Sequence, residues 1–235
     1  MRAIEDDPFF RVPPGFSPLD LHGDVDVYDR YLPHWRQDGA TYFVTVRQVD
    51  AMPPALLRQL KQERIEFLQS HGGSPSKAEW QRFRQQQSET SEGALDNGYG
   101  SCALRSADLR AIVQQSLLFY HGSECHVGCF VVMPNHWHLL IRPFSGVPLE
   151  GLLRRIKGYS AWRINRSSGH HGSFWGLENY DRLVRDASHL ISVMRYIVFN
   201  GRKAGLTAAE HTVWVNPEWE AAGWTADALI AWSPQ

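Results

Sequence analysis

The fold is decided by residues 133–141, Met133-Pro134-Asn135-His136-Trp137-His138-Leu139-Leu140-Ile141. Side chains on a β-strand alternate between the two faces of a sheet, so His136 and His138 point the same way while Trp137 turns into the core. Two imidazoles side by side on a fixed strand form half of a metal site. The alternative is a pair of polar residues on the solvated face of a strand.

The elements around this stretch predict a sheet covered by helices. Strands at 125–133 and 136–142 are joined so tightly at Pro134-Asn135 that they should pair as a hairpin. Further strands are predicted at 39–47 and 180–184, and helices at 53–69, 76–87, 106–120 and 149–165, with a loop at 88–100. Strands interrupted by helices around a central hairpin predict an α+β fold, a ferredoxin-like antiparallel sheet with helices on one face.

An amphipathic helix follows about sixty residues after the histidine pair. Its core stripe has helical spacing and consists of Leu190, Val193, Met194, Ile197 and Val198. Tyr196 and Asn200 lie one turn apart beside that stripe, which places the tyrosine to reach into a site. The alternative is a tyrosine that packs at the rim of the core, with Asn200 as an ordinary cap near the helix end.

Together these motifs resemble a known family. The chain resembles the HUH single-strand endonucleases with one catalytic tyrosine, and most closely the REP-associated tyrosine transposases, relatives of the smallest insertion-sequence transposases. The resemblance runs from about residue 40 to 206, and its segments are 42–46 (YFVTV), 131–141 (VVMPNHWHLLI), 180–186 (YDRLVRD), 195–200 (RYIVFN) and 203–206 (KAGL).

The resemblance implies the HUH endonuclease architecture and a set of site residues. His136 and His138 would be metal ligands, Asn200 the third protein ligand, and Tyr196 the nucleophile. The substrate would be single-stranded DNA able to form a short hairpin. The family usually has Asn-Pro where this chain has Asn200-Gly201, a change that we expect to alter only how the helix ends.

The expected chemistry needs these residue types. A phenol with an ordinary pKa near 10 is about one part in a thousand ionised at pH 7, so it attacks poorly until its charge is stabilised. A divalent cation would offset the charge that builds as Tyr196 attacks phosphorus, giving a 5′-phosphotyrosine link and a free 3′-hydroxyl. A mixed imidazole and amide set with open positions favours Mg²⁺ or Mn²⁺ over structural zinc.

Charge is placed unevenly along a nearly neutral chain. The formal net charge is -1, yet residues 151–206 hold ten Lys or Arg against three acids. Phosphate binding needs such a surface, although a solvated charged face is the plain alternative. The predicted DNA-binding residues are Arg154, Arg155, Lys157, Arg182, Arg185, Arg202 and Lys203.

Composition bounds the class of protein. The 235 residues suit an irregular N-terminal arm at 1–39, a catalytic domain at 40–206 with a helical insertion at about 70–100, and a C-terminal tail at 207–235 that folds back on the body. Three cysteines form no disulfide framework, and the sequence shows neither a membrane-length apolar stretch nor a secretion signal. We therefore expect no membrane partner and a cytoplasmic, nucleoid-associated protein.

The sequence thus predicts a metal-dependent single-stranded DNA endonuclease and strand-transferase that acts through Tyr196. The alternative from another class is a module on the same fold that binds single-stranded DNA or RNA without cutting it. A monomer and a homodimer both remain open, as does use of Tyr196 within one chain or across two.

Overall fold

The structure is a computed structural model that describes residues 11–29 and 33–232. The strands are β1 (Asp26–Asp29), β2 (Pro33–Arg36), β3 (Tyr42–Arg47), β4 (Cys125–Val132), β5 (His136–Pro143), β6 (Tyr180–Leu183) and β7 (Thr212–Val215). The helices are α1 (Pro54–Ser70), α2 (Lys77–Asp96), α3 (Ala107–Leu118), α4 (Leu149–Ser168), α5 (Ala187–Lys203), α6 (Pro217–Ala221) and α7 (Ala226–Ala231), with a 3₁₀ turn at Ala103–Arg105. The first ten residues of the arm, residues 30–32 and the last three of the tail lie outside these ranges.

Five strands form one antiparallel sheet in the order β6-β3-β5-β4-β7. The elements from β3 to β6 follow one another as a strand, helices, the β4–β5 hairpin, a helix and a strand, which is the ferredoxin-like succession. The α+β class and the antiparallel sheet are therefore confirmed. The histidine-bearing strand β5 is central, with β3 on one side and β4 on the other.

Helices cover both faces of the sheet, so the prediction of helices on one face is wrong. Tyr42, Trp137 and Ile141 belong to a core with α3 and α4. Phe43 and Leu140, on the opposite face, belong to a second core with α5 and the tail. The reason is that both faces of the central strands are apolar, and a sheet with two apolar faces must be covered twice.

A β-bulge at Gly128 changes which residues of β4 face each core. Pairing between β4 and β5 shifts between Val127 and Cys129, so the alternation of faces changes phase at that point. Cys125 lies in the α3–α4 core and Cys129 in the α5 core. Gly128 has no room for a side chain, because an added Cβ would lie 2.5 Å from the Trp219 ring.

The tyrosine helix α5 starts and ends by identifiable means. The Asp186 side chain accepts a hydrogen bond of 2.8 Å from the backbone amide of His189, which caps the first turn. The helix runs on through Gly201 to Lys203, so the expectation that Gly201 would mark its end is wrong. Gly201 is buried inside the helix, and a Cβ there would lie 2.4 Å from the ring of His211.

Three regions differ from their sequence patterns. Helix α2 extends to Asp96, through a segment predicted as a loop, and the burial of Leu95 holds its last turn in place. The arm predicted as irregular contains the antiparallel pair β1–β2, whose strands of four residues each are too short to show a clear alternation. The tail adds β7 to the β4 edge and buries Trp219 and Trp224. Among the described residues, no helix has the length and apolar character needed to cross a membrane.

Candidate active site

The histidine pair lies buried in the centre of the sheet. His136 and His138 are 1% and 0% exposed, so the alternative of a solvated strand face is wrong. Both project to the α5 face, while Trp137 packs in the core on the other side. Their Nε2 atoms lie 3.1 Å apart. The two imidazoles therefore present neighbouring nitrogens to one point.

Asn135 fixes the tautomer of His136. Its side-chain nitrogen donates to the backbone oxygens of Leu95 at 3.3 Å and Tyr99 at 3.0 Å, which identifies the other amide atom as oxygen. That oxygen lies 2.7 Å from Nδ1 of His136. Since an amide oxygen only accepts, Nδ1 carries the proton and Nε2 presents a lone pair. This arrangement is typical of histidines that bind metals.

Thr45 supports the second histidine from the neighbouring strand. Register pairs Thr45 with His138, and the threonine hydroxyl lies 2.8 Å from Nδ1 of His138. A hydroxyl can donate or accept, so Thr45 is compatible with either tautomer of His138. With Nδ1 protonated and donating to Thr45, the Nε2 lone pair of His138 faces the same point as that of His136.

Burial keeps both imidazoles neutral. It lowers the pKa of His136 from 6.5 to about 3. The pKa of His138 is also well below its usual value, first because of burial and then because of the neighbouring His136 and the positive charges at Arg182 and Lys203. Neutral imidazole is the form that binds a cation, so the ligand nitrogens are available at neutral pH.

The hydroxyl of Tyr196 reaches the histidine pair from α5. Its oxygen lies 3.3 Å from Nε2 of His138, and the two rings meet edge to face at 4.9 Å between centroids. Burial raises the pKa of the phenol, and the carboxylates of Glu92 and Asp96 on α2 raise it further. The phenol is therefore protonated at rest and needs a positive charge or a base before it can attack.

Asn200 is a buried amide with unused hydrogen-bonding capacity. It is 1% exposed, and within the described part of the chain neither its oxygen nor its nitrogen has a hydrogen-bond partner. It lies near enough to Tyr196 to lower the pKa of the phenol, although their geometry is outside a hydrogen bond. Buried amides without partners are costly and rare. An amide oxygen and two neutral imidazoles fit a divalent cation.

No group of three or more His, Cys, Asp or Glu side chains that could hold a metal occurs in the described ranges. Asn200 belongs to none of these four residue types, so a site that uses two histidines and its amide oxygen is of a different kind. Cys125 and Cys129 cannot share one zinc ion with neighbouring histidines, because they belong to cores on opposite faces of the sheet.

Two of the predicted DNA-binding cations lie at the histidine pair. Arg182 on β6 has its guanidinium 4.9 Å from the centroid of Phe43, and its buried Nε has no hydrogen-bond partner in the described chain. The ammonium of Lys203 lies 5.5 Å from the centroid of the Tyr196 ring and donates to Asp96 at 2.9 Å. Both cations therefore oppose the negative charges that surround the phenol.

The remaining predicted cations lie elsewhere. Arg154, Arg155 and Lys157 are on α4, which packs on the sheet face opposite α5. Arg155 pairs with Glu124, and Lys157 donates to the backbone oxygen of Gly176 at 3.0 Å. The other two are exposed: Arg185 precedes α5, and Arg202 lies in its last turn.

Sequence reasoning missed several residues of this site. Thr45 and Asn135 carried a weak signal, since each adjoins or pairs with a histidine. Glu92 and Asp96 gave none, because they lie in the segment predicted as a loop and reach Tyr196 only through the fold.

Comparison with known proteins supports the family resemblance. Residues 104–199 match the family model described as "Transposase IS200 like". This segment is therefore similar to the IS200-like transposases. The matched segment includes His136, His138 and Tyr196 and ends one residue before Asn200.

Curated protein sequences give no match to the chain. Among solved structures, the chain is similar to one described as a REP-associated tyrosine transposase bound to a REP hairpin. The two chains are 16% identical, with a TM-score of 0.42, and the similarity covers 77% of this chain and 74% of that one.

Proposed function

We propose that this protein is a transposase that nicks and rejoins single-stranded DNA through Tyr196, in a reaction that depends on a divalent metal. One observation carries the proposal. The Tyr196 hydroxyl lies 3.3 Å from Nε2 of His138, which in turn lies 3.1 Å from Nε2 of His136, in a buried site. A nucleophile beside two neutral imidazoles is the arrangement that metal-assisted attack on phosphorus requires.

The reaction would exchange one phosphodiester for another. The Tyr196 oxygen forms a bond to phosphorus as its proton leaves, the bond from phosphorus to the 3′ oxygen breaks, and the departing 3′ oxygen takes up a proton. The products are a 5′-phosphotyrosine and a free 3′-hydroxyl. Because the bonds made and broken are alike, the same site can rejoin strands without an external source of energy.

His136, His138 and Asn200 would hold Mg²⁺ or Mn²⁺. When bound, such a cation offsets negative charge on the phosphate oxygens and on the attacking phenol. Asn135 and Thr45 orient the two imidazoles for this task. Arg182 and Lys203 add positive charge beside the phenol, which favours an approaching phosphate.

The proposed substrate is single-stranded DNA beside a short hairpin, as the sequence resemblance implies. The basic residues that lie away from Tyr196 would contact DNA outside the cleaved bond. Such an enzyme would act on DNA in the cytoplasm, at the nucleoid.

Incubation with labelled hairpin DNA tests this proposal. The wild type should form a labelled, protein-linked band that survives denaturation in Mg²⁺ or Mn²⁺ and disappears with a chelator. The Tyr196→Phe variant should bind the same DNA with unchanged affinity and form no adduct, because it lacks only the attacking oxygen.

The His136→Ala variant should stay folded but lose cleavage. An adduct that persists in the Tyr196→Phe variant would move the nucleophile elsewhere. Binding without any adduct, across metals and hairpins, would instead favour the alternative, a module that binds single strands without cutting them.

A further inference from the structure

A cavity of about 370 Å³ lies between the α1–α2 helix pair and the β3–β6 edge of the sheet. We call it the α1–α2 cavity. Thr45 lines it and also contacts His138, and Glu92 lines it and also raises the pKa of Tyr196. The cavity therefore lies next to the candidate active site, on the same face of the sheet.

Apolar atoms form most of its wall. Leu57 and Leu60 line it from α1, Phe83 from α2 and Tyr180 from β6. The Phe83 ring is stacked on Phe67 with 4.2 Å between centroids and 6° between planes, which fixes its orientation. Rings of this kind provide a face on which a nucleobase stacks.

Cations outnumber acids around this wall. Arg47, Lys61, Arg64 and Arg84 line the cavity, against Glu92 and Glu178. Arg84 lies over the Tyr180 ring, 5.9 Å from its centroid, and its buried Nε has no hydrogen-bond partner in the described residues. An anion that carries a flat ring satisfies both the apolar wall and the excess positive charge.

Polar groups on the wall suit the edge of a base. Gln87 and Asn179 line the cavity; their side-chain nitrogens donate to Glu63 at 2.8 Å and to Asp181 at 2.9 Å, which leaves the amide oxygens as acceptors for a base. The volume is near the lower end of the range for ligand pockets, about 300–1,000 Å³, which suits one nucleotide rather than a longer segment.

We propose that the α1–α2 cavity binds one unpaired nucleotide of the DNA strand, beside the phosphodiester that Tyr196 attacks. This inference rests on the proposed function. The base stacks against the aromatic wall, and the cations bind its flanking phosphates. A base that is paired in a duplex cannot enter, so the cavity selects single strands at the cleaved position.

Fluorescent DNA tests the cavity directly. Hairpin DNA with a single-stranded flank carries 2-aminopurine at one position at a time and is bound by the Tyr196→Phe variant, so that no strand is cut. One position should show a large change in emission. An abasic site at that position should weaken binding about tenfold, because the loss of one stacked base lowers DNA affinity by about that factor.

Two tryptophan substitutions on α2, one that fills the cavity and one that does not, provide a matched comparison. Ser91→Trp on α2 places a ring in the cavity, while Thr90→Trp places it on the exposed side of the same helix. Ser91→Trp should lose the emission change and bind intact DNA about tenfold more weakly, with no further loss on abasic DNA. Thr90→Trp should match the parent.

An equal change in emission at every labelled DNA position would overturn the proposal. Equal DNA affinity of the two tryptophan variants would also overturn it. So would saturation of the cavity by a free mononucleotide without any effect on DNA binding. The covalent adduct separates this inference from the proposed function. Adducts without a position-specific response refute only the cavity, and a position-specific response without adducts refutes only the cleavage chemistry.

Discussion

Replacing Asn200 by Leu should make the metal-free protein more stable while it removes the response to metal. Leu has the same branched shape as Asn, with methyl groups in place of the amide oxygen and nitrogen. In the described structure both polar atoms of Asn200 are buried without a hydrogen-bond partner. Each such atom costs about 1–3 kcal/mol, so removal of both should stabilise folding by about 2 kcal/mol after imperfect packing is allowed for.

Asn216 provides a control with the same burial and the opposite expectation. It is also 1% exposed, but its nitrogen donates to Val127 at 3.1 Å and its oxygen accepts from Glu218 at 2.9 Å. Asn216→Leu leaves those two backbone groups unsatisfied and should destabilise the protein by about 2 kcal/mol. Replacement of Asn by Leu should thus raise the free energy of unfolding at position 200 and lower it at position 216.

Urea unfolding measures both variants, with a chelator and with Mn²⁺. Excess metal at about 100 times its dissociation constant should stabilise the wild type by about 2.7 kcal/mol and leave Asn200→Leu nearly unchanged. The reasoning fails if Asn200→Leu is less stable than the wild type in chelator. That result would show that the amide has a partner in the folded protein and that its burial says nothing about a metal.

Further predictions concern metal affinity, pH, salt and charge. Thr45→Val should weaken Mn²⁺ binding about 10–100-fold by calorimetry and leave the fold intact, because it frees one imidazole to turn. Burial lowers the pKa of His189 from 6.5 to about 4, so only the unfolded chain gains a proton between these values and stability falls as pH drops through that window. His189→Asn should flatten this slope, measured by unfolding, by up to about 1.4 kcal/mol per pH unit. DNA affinity should fall steeply with salt in a titration, and affinity that ignores salt would contradict phosphate binding. Arg182→Gln should slow adduct formation, whereas joint substitution of Arg154 and Arg155 should change only affinity.

The sequence predicted the elements whose pattern is local. The hairpin at Pro134-Asn135 and the common face of His136 and His138 follow from alternation along a strand, and the structure confirms both. The approach of Tyr196 to His138 agrees with its place beside the apolar stripe of α5.

Other features depend on contacts that no local pattern records. The last turns of α2 read as a loop because Gly93 and a run of polar residues hide the helix, and only burial of Leu95 against the body stabilises it. The shift at Gly128 could not be predicted, because it exchanges the faces of β4 without a change in composition. The role of Gly201 depends on the approach of the His211 ring.

The close approach of Tyr196 to the histidine pair within one chain has a kinetic consequence. A molecule that holds the nucleophile and the proposed ligands together needs no second copy to cut, so the nicking rate per molecule should stay constant as the protein is diluted. Mixing the His136→Ala and Tyr196→Phe variants should restore no activity, since neither chain completes the other. Complementation in that mixture would mean that two chains exchange their tyrosine helices when DNA is bound.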